Sequence, residues 1–234
     1  MHEDLLPLER LSVADRATNR LREHVLSGAI EAGTRLTELS LAERLGIGRA
    51  SVRAALVQLS FEGLVVKTPY TGWHIAELSS RSVWETWTLR ASLESLAARI
   101  IAENLDGPTR EAITASHRAF HEVCLNGQVD GISARDFEFH KLTVELSGHQ
   151  RLREQYRLVE NQVRLFIITS NAHAAVTGEE AFAQHEALMA ALFSGDPEVA
   201  AREAWQHSHS AGIRLSRWIE RRAVDATERD ETSR

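Results

Sequence analysis

The sequence predicts a mainly α protein: an N-terminal winged helix-turn-helix followed by a C-terminal all-α antiparallel six-helix bundle. Three observations predict it. Residues 36–76 read as two short helices around a glycine turn and then a small hairpin. From Val83 onward nothing alternates with period two. Six helical segments follow instead, separated by Gly, Pro, Asn or Asp. We place the winged helix-turn-helix domain at residues 1–76, a short polar linker at 77–82, the bundle at 83–223 and a polar, disordered tail at 224–234.

In chain order, residues 1–12 are expected to be poorly ordered. Ala14, Ala17, Leu21 and Val25 then mark a first helix closed by Ser27-Gly28, and Glu31 to Thr34 form a turn. Thr37 or Ser40 can cap the next helix, which carries Leu39, Leu41, Ala42 and Leu45; Ser40 with Glu43 makes a capping box. Gly46-Ile47-Gly48 breaks it. A second helix runs from about Arg49 to Glu62, with Val52, Ala55, Leu56 and Leu59 at i, i+3, i+4, i+7. Arg49 and Arg53 stand one turn apart beside that stripe, where the second helix of a helix-turn-helix meets a major groove. Leu64 to Lys67 and Trp73 to Ala76 read as strands around Pro69-Tyr70-Thr71-Gly72. The bundle helices are expected at about 82–104, 108–126, 130–147, 150–171, 178–194 and 197–223.

Bulk properties agree with this division. Residues 16–76 hold eight Lys/Arg against five Asp/Glu, whereas the whole chain is formally −6. A mildly basic head on an acidic body fits nucleic-acid binding by the head alone. The single cysteine, Cys124, excludes an intrachain disulfide framework and a cysteine-rich zinc finger. The first ten residues have no signal-peptide core, and no apolar run is long enough to span a membrane. The expected location is the cytoplasm.

One constellation has metal-ligand spacing. Asp136 and His140 are i, i+4 on one helix face. His185 and His207 lie on the last two helices, around Gly195-Asp196-Pro197, which reads as helix stop, N-cap and first-turn proline. His185 is ten residues before Gly195 and His207 ten after Pro197. Each arm climbs about 15 Å, so an antiparallel hairpin returns both imidazoles to one level. One carboxylate and three imidazoles suit a divalent ion such as zinc, nickel or manganese. The bland alternative is hydrogen-bonded histidines without an ion. His117 and His121 read as a solvated pair, and His209 as pointing elsewhere. Arg90 and Glu94, also i, i+4, read first as a surface ion pair and second as an arginine facing a cavity to grip a carboxylate. Trp84 and Trp87 on the same helix read as core or interface aromatics. Arg164, between Val163 and Leu165, is a weaker candidate for the same anion-gripping role.

With these residues assembled, the chain resembles GntR-family transcription regulators of the FadR subfamily, with an FCD ligand-binding domain. The resemblance covers Ala14 to Ile219. It is carried by Leu39–Leu56 (LSLAERLGIGRASVRAAL), similar to the pattern LAxxLGVSRxPVRxAL, by Gly63-Leu64-Val65 and wing residue Gly72, by Leu89 to Glu94, and by Asp136, His140, His185 and His207. Six bundle helices rather than seven point to the VanR-like branch. The resemblance implies operator contacts at Arg35, Arg49, Ser51, Arg53, Thr71 and Gly72. It implies a divalent metal, zinc first, on Asp136, His140, His185 and His207, and an effector contact at Arg90, with Arg164 the weaker effector candidate from its own place in the helix. The sequence departs from the pattern at Gly48, Ser51 and Ala54, where Ser, Pro and Glu are usual, and at Glu31-Ala32, which replaces a Pro-rich turn. The reading that follows is a non-enzymatic repressor, a homodimer on double-stranded pseudo-palindromic operator DNA, responding to a small carboxylate. The rival readings are a metalloenzyme, whose open-coordinated ion would activate water, and a metal sensor with no organic effector.

Overall fold

The computed structural model describes residues 11–27, 30, 33–126, 129–173 and 177–232. The expectations for residues 1–10, Gly28 and Glu31-Ala32 lie outside that range. The chain divides into two compact units, Met1–Glu77 and Leu78–Arg234.

The first unit starts with helix α1 (Val13–Leu26), opened by a reciprocal capping box between Ser12 and Asp15. Its buried face is Ala17, Leu21, Val25 and Leu26. A short strand β1 (Arg35–Leu36), unforeseen in the sequence, precedes α2 (Glu38–Leu45) and α3 (Arg49–Phe61). Thr37, not Ser40, caps α2: its hydroxyl accepts from the Ser40 amide. Thr37 has the extended backbone that an N-cap needs, while Ser40 is already inside the helix. Leu39 consequently faces solvent. Gly46 ends α2 at φ +64°, a left-handed conformation that glycine adopts without steric cost. The expected stripe of α3, Val52, Ala55, Leu56 and Leu59, is fully buried. Strands β2 (Val65–Thr68) and β3 (Gly72–Ile75) form the hairpin. The antiparallel order is β1-β3-β2, with Arg35 opposite His74 and Val66 also opposite His74. Arg22 of α1 grips Glu62 at the end of α3 through two hydrogen bonds of 2.7 and 2.6 Å.

The second unit consists, among the described residues, of helices α4 (Ser80–Glu103), α5 (Gly107–Asn126), α6 (Val129–Leu146), α7 (Gln150–His173), α8 (Gly178–Leu192) and α9 (Pro197–Thr232). The expected linker is shorter than 77–82. Ser79 and Ser82 form a capping box, which pulls Arg81 and Ser82 into α4. Helix α9 runs past 223 to Thr232, since no Gly or Pro interrupts residues 213–232 and Ala, Glu and Arg there favour helix. Between α8 and α9, Asp196 accepts from the amides of Glu198 and Val199, so it is the N-cap ahead of Pro197.

One apolar cluster gathers Trp87 and Ala91 of α4, Phe137 of α6, Tyr156 and Phe166 of α7 and Leu215 of α9. A second gathers Ile101, Ile113, Phe139, Leu188 and Leu192. Helices α4 and α9 pack extensively. Gly212 permits this: a Cβ there would stand 2.4 Å from the Trp87 ring. Buried polar residues interrupt this apolar interior: Arg90 and Glu94 on α4, Asp136 and His140 on α6, and His185 on α8. Among the described residues no helix is long and apolar enough to cross a membrane.

Candidate metal centre and nucleic-acid interface

In the first unit, α3 presents Arg49 and Arg53 outward, each with a largely exposed side chain. Arg53 is not loose. Its Nε and Nη2 donate to both carboxylate oxygens of Glu38 at 2.9 and 2.7 Å, and Arg49 stands 3.7 Å from the same carboxylate. The Arg53 hydrogen bonds hold the Glu38 carboxyl down at about 2, with help from Trp73 and Arg49. Arg35 is exposed on β1, Ser51 half-buried on α3, and Thr71 and Gly72 lie at the hairpin turn. Tyr70 at that turn adopts φ +66° and is fully exposed. Gly48 opens α3 without any side-chain cap.

In the second unit, the four residues of the metal constellation are brought together. The Nε2 atoms of His185 and His207 each stand 3.2 Å from His140 Nε2. One ring nitrogen from each of the three falls within 4.8 Å of the others. Asp136 Oδ1 lies 3.2 Å from His140 Nε2 and 3.3 Å from His185 Nε2. Its other oxygen accepts from Asn171 Nδ2 at 2.9 Å, which turns Oδ1 inward.

The outward nitrogens fix what the inward ones can do. His185 Nδ1 faces the Ala181 carbonyl at 2.9 Å and His207 Nδ1 the Gln184 carbonyl at 3.1 Å. His140 Nδ1 faces Glu94 Oε2 at 3.0 Å. Carbonyls and carboxylates accept, so all three Nδ1 atoms carry the hydrogen in a neutral ring. Three Nε2 lone pairs therefore converge with a carboxylate oxygen that has no hydrogen-bond donor of its own. Such a set is complementary to a cation, and the Nδ1 contacts are those that orient histidine ligands. The residues present thus fit a divalent ion.

Electrostatics follow from burial and pairing. Burial opposes the charged form of His140, but Glu94 outweighs it and raises the pKa. Burial and the neighbouring His185 and His140 drive His207 well below its ordinary value. Burial alone would raise Asp136; the adjoining His140 and His185 rings hold it well below the usual carboxylate range.

Arg90 and Glu94 are not on the surface. They are 1% and 3% exposed, because the α4 face that carries them turns into the bundle. Glu94 accepts from Arg90 Nε at 2.9 Å, Tyr156 Oη at 3.0 Å and Ser208 Oγ at 3.3 Å, besides His140. Arg90 Nη2 is buried without a hydrogen-bond partner. A cavity lies beside the histidines, its wall including Arg90, Asp136, Asn171, His185, His207 and Arg214. Arg164 is absent from that wall; its guanidinium lies 5.9 Å from the Phe137 ring. The arginine found there instead is Arg214 of α9, which the sequence reading passed over.

Trp87 is buried and Trp84 half-exposed. His117 and His121 are not simply solvated: both rings pack on Phe182, at 4.5 and 4.0 Å, and burial lowers His117 to about 4. His209 stacks on Trp205 and meets Trp87 edge-on, and it is not one of the three clustered histidines.

Residues 13–75 match the family model for bacterial regulatory proteins of the gntR family, and residues 85–210 match the model for the FCD domain. A relative named for repression of the D-xylose utilization operon of Paenarthrobacter nicotinovorans is 24% identical over 200 residues, spanning 86% of this chain and 87% of that one. Among solved structures, a GntR-type transcriptional regulator of Rhodococcus sp. RHA1 has a TM-score of 0.72 at 20% identity, over 88% of this chain and 98% of the other. McbR/YncC of E. coli gives 0.70 at 21% identity, over 89% and 99%. At those identities the structures establish a shared fold.

Proposed function

The chain belongs to the GntR family of bacterial regulatory proteins and carries an FCD domain; it is a DNA-binding transcriptional regulator rather than an enzyme, and we propose that it is a metal-dependent, acid-responsive repressor. In this reading Arg35, Arg49, Ser51 and Arg53, with the Thr71–Gly72 turn, contact operator DNA. A homodimer presents two such heads to a pseudo-palindrome. Asp136, His140, His185 and His207 hold one divalent ion, with zinc, nickel or manganese compatible with the donor set. When bound, that ion supplies a positive centre able to take an oxygen of a small carboxylate.

The chain's own residues do the rest. Asn171 fixes the Asp136 carboxylate, and Glu94 fixes the His140 ring. Arg90, anchored by Glu94 through Nε, lines the cavity and has its Nη2 left over to donate to an anion. Helix α4 carries Arg90 and Glu94 and is the first helix after the division at Glu77–Leu78. An acid can shift DNA affinity only by binding two states of the protein unequally.

The observation that carries this reading is the convergence of three imidazole Nε2 atoms beside a cavity whose wall includes an arginine with a buried, unpartnered nitrogen. That same nitrogen favours an organic effector over a sensor of metal alone. The test is selection of bound sequences from a random DNA pool, followed by gel shifts with and without small carboxylates. An inverted repeat should be enriched. At least one acid should change affinity in metal-loaded protein and have no effect after chelation. Enrichment of no common site, or an acid effect indifferent to metal, would contradict the proposal.

A further inference from the structure

Arg214 brings a second arginine to the cavity. It sits at i+7 from His207 on α9, two turns along the same face, and lines the same cavity. One nitrogen, Nη2, donates to the Gln184 side-chain amide. Its Nε is buried and has no hydrogen-bond partner. Among the described residues no carboxylate lies within ion-pair distance of it. A half-buried guanidinium held only by a neutral amide is costly unless an anion meets it.

Arg90 is neutralised by Glu94. A divalent ion on Asp136 and three neutral histidines leaves one net positive charge, and Arg214 adds a second. A monocarboxylate would leave one charge uncompensated, whereas a dicarboxylate would leave none. A phosphorylated acid would overshoot, since its phosphoryl group alone carries nearly two negative charges. Arg90 of α4 and Arg214 of α9 both line the cavity and each has a buried donor without a partner, so two separate helices offer donors to a ligand with two anionic groups. Resting on the acid-responsive reading above, we propose that the effector is a small dicarboxylate, with Arg214 receiving the carboxylate distal to the metal.

The test is calorimetric titration of the zinc-loaded full chain. The probes are malonate, succinate and glutarate, their matched monoacids propionate, butyrate and valerate, and 3-phosphonopropionate. At least one diacid should bind tenfold or more tightly than its monoacid. Arg214→Gln should abolish that preference while leaving zinc content unchanged, and Arg214→Lys should keep part of it. Monoacids binding as tightly as diacids would overturn the proposal while leaving the acid-responsive reading intact, and this needs no variant. A preference that survives in Arg214→Gln, or a phosphonate binding more tightly than the diacids, would overturn it too. Zinc-loaded protein that binds none of the acids would remove both readings together.

Discussion

Glu38 of α2 and Arg53 of α3 form a two-bond fork across the helix-turn-helix, with Nε–Oε1 at 2.9 Å and Nη2–Oε2 at 2.7 Å. The pair is largely exposed on the arginine side, so it orders the guanidinium more than it stabilises the unit. A recognition arginine oriented before binding loses less side-chain freedom on meeting a base. Arg53→Ala should therefore weaken operator binding roughly tenfold to a hundredfold, with the melting temperature near wild type. Gel shifts on the selected operator measure this; unchanged affinity would remove Arg53 from the interface.

A different carboxylate governs the bundle. Glu94 is the counter-charge of buried Arg90 and the acceptor for His140 Nδ1. Glu94→Gln keeps the shape but removes the charge. It should cost about 3–5 kcal/mol of stability, because Arg90 is then buried uncompensated. Metal affinity should fall about 10- to 100-fold, as expected when an orienting contact to a ligand is weakened. Urea unfolding of chelated protein and a competition titration with a chromophoric chelator separate the two effects. If both stay at wild-type values, Glu94 neither neutralises Arg90 nor orients His140.

Arg90→Lys preserves the charge and loses the fork. Effector concentration for half-release of DNA should rise tenfold or more, while metal content and unliganded DNA affinity hold. A wild-type response would show that Arg90 only braces Glu94.

Much of this was legible in the chain because its punctuation is explicit. Gly46, the Asp196-Pro197 pair and the apolar stripe of α3 set helix ends and the buried face to within a few residues. The histidine cluster was legible because an i, i+4 pair and equal hairpin arms fix geometry without tertiary knowledge. Strand β1 was not, since two residues show no alternation. The burial of Arg90 and Glu94 was not either. An i, i+4 ion pair looks the same in sequence whether its helix face meets water or Tyr156. Arg164 and Arg214 are both arginines within long helices, and only the rotation of α7 and α9 decides which one reaches the cavity.

The packing of α4 on α9 rests on one small residue. A methyl at position 212 would overlap the Trp87 ring, whose neighbours Trp205 and His209 limit its retreat. Gly212→Ala gains helix propensity but should still destabilise the protein by about 1–3 kcal/mol through overpacking. Thermal melts decide this; an equal or higher melting temperature would mean the helices separate without cost.

Elemental analysis of the full chain tests most directly whether His140, His185 and His207, with Asp136, form a metal site. Protein purified without chelator, then incubated with zinc, nickel or manganese and desalted, should retain about one ion per chain. The His185→Ala/His207→Ala double variant should retain none while keeping its helix content by circular dichroism. Wild-type protein that retains no ion, or a double variant that retains a full equivalent, would contradict the account.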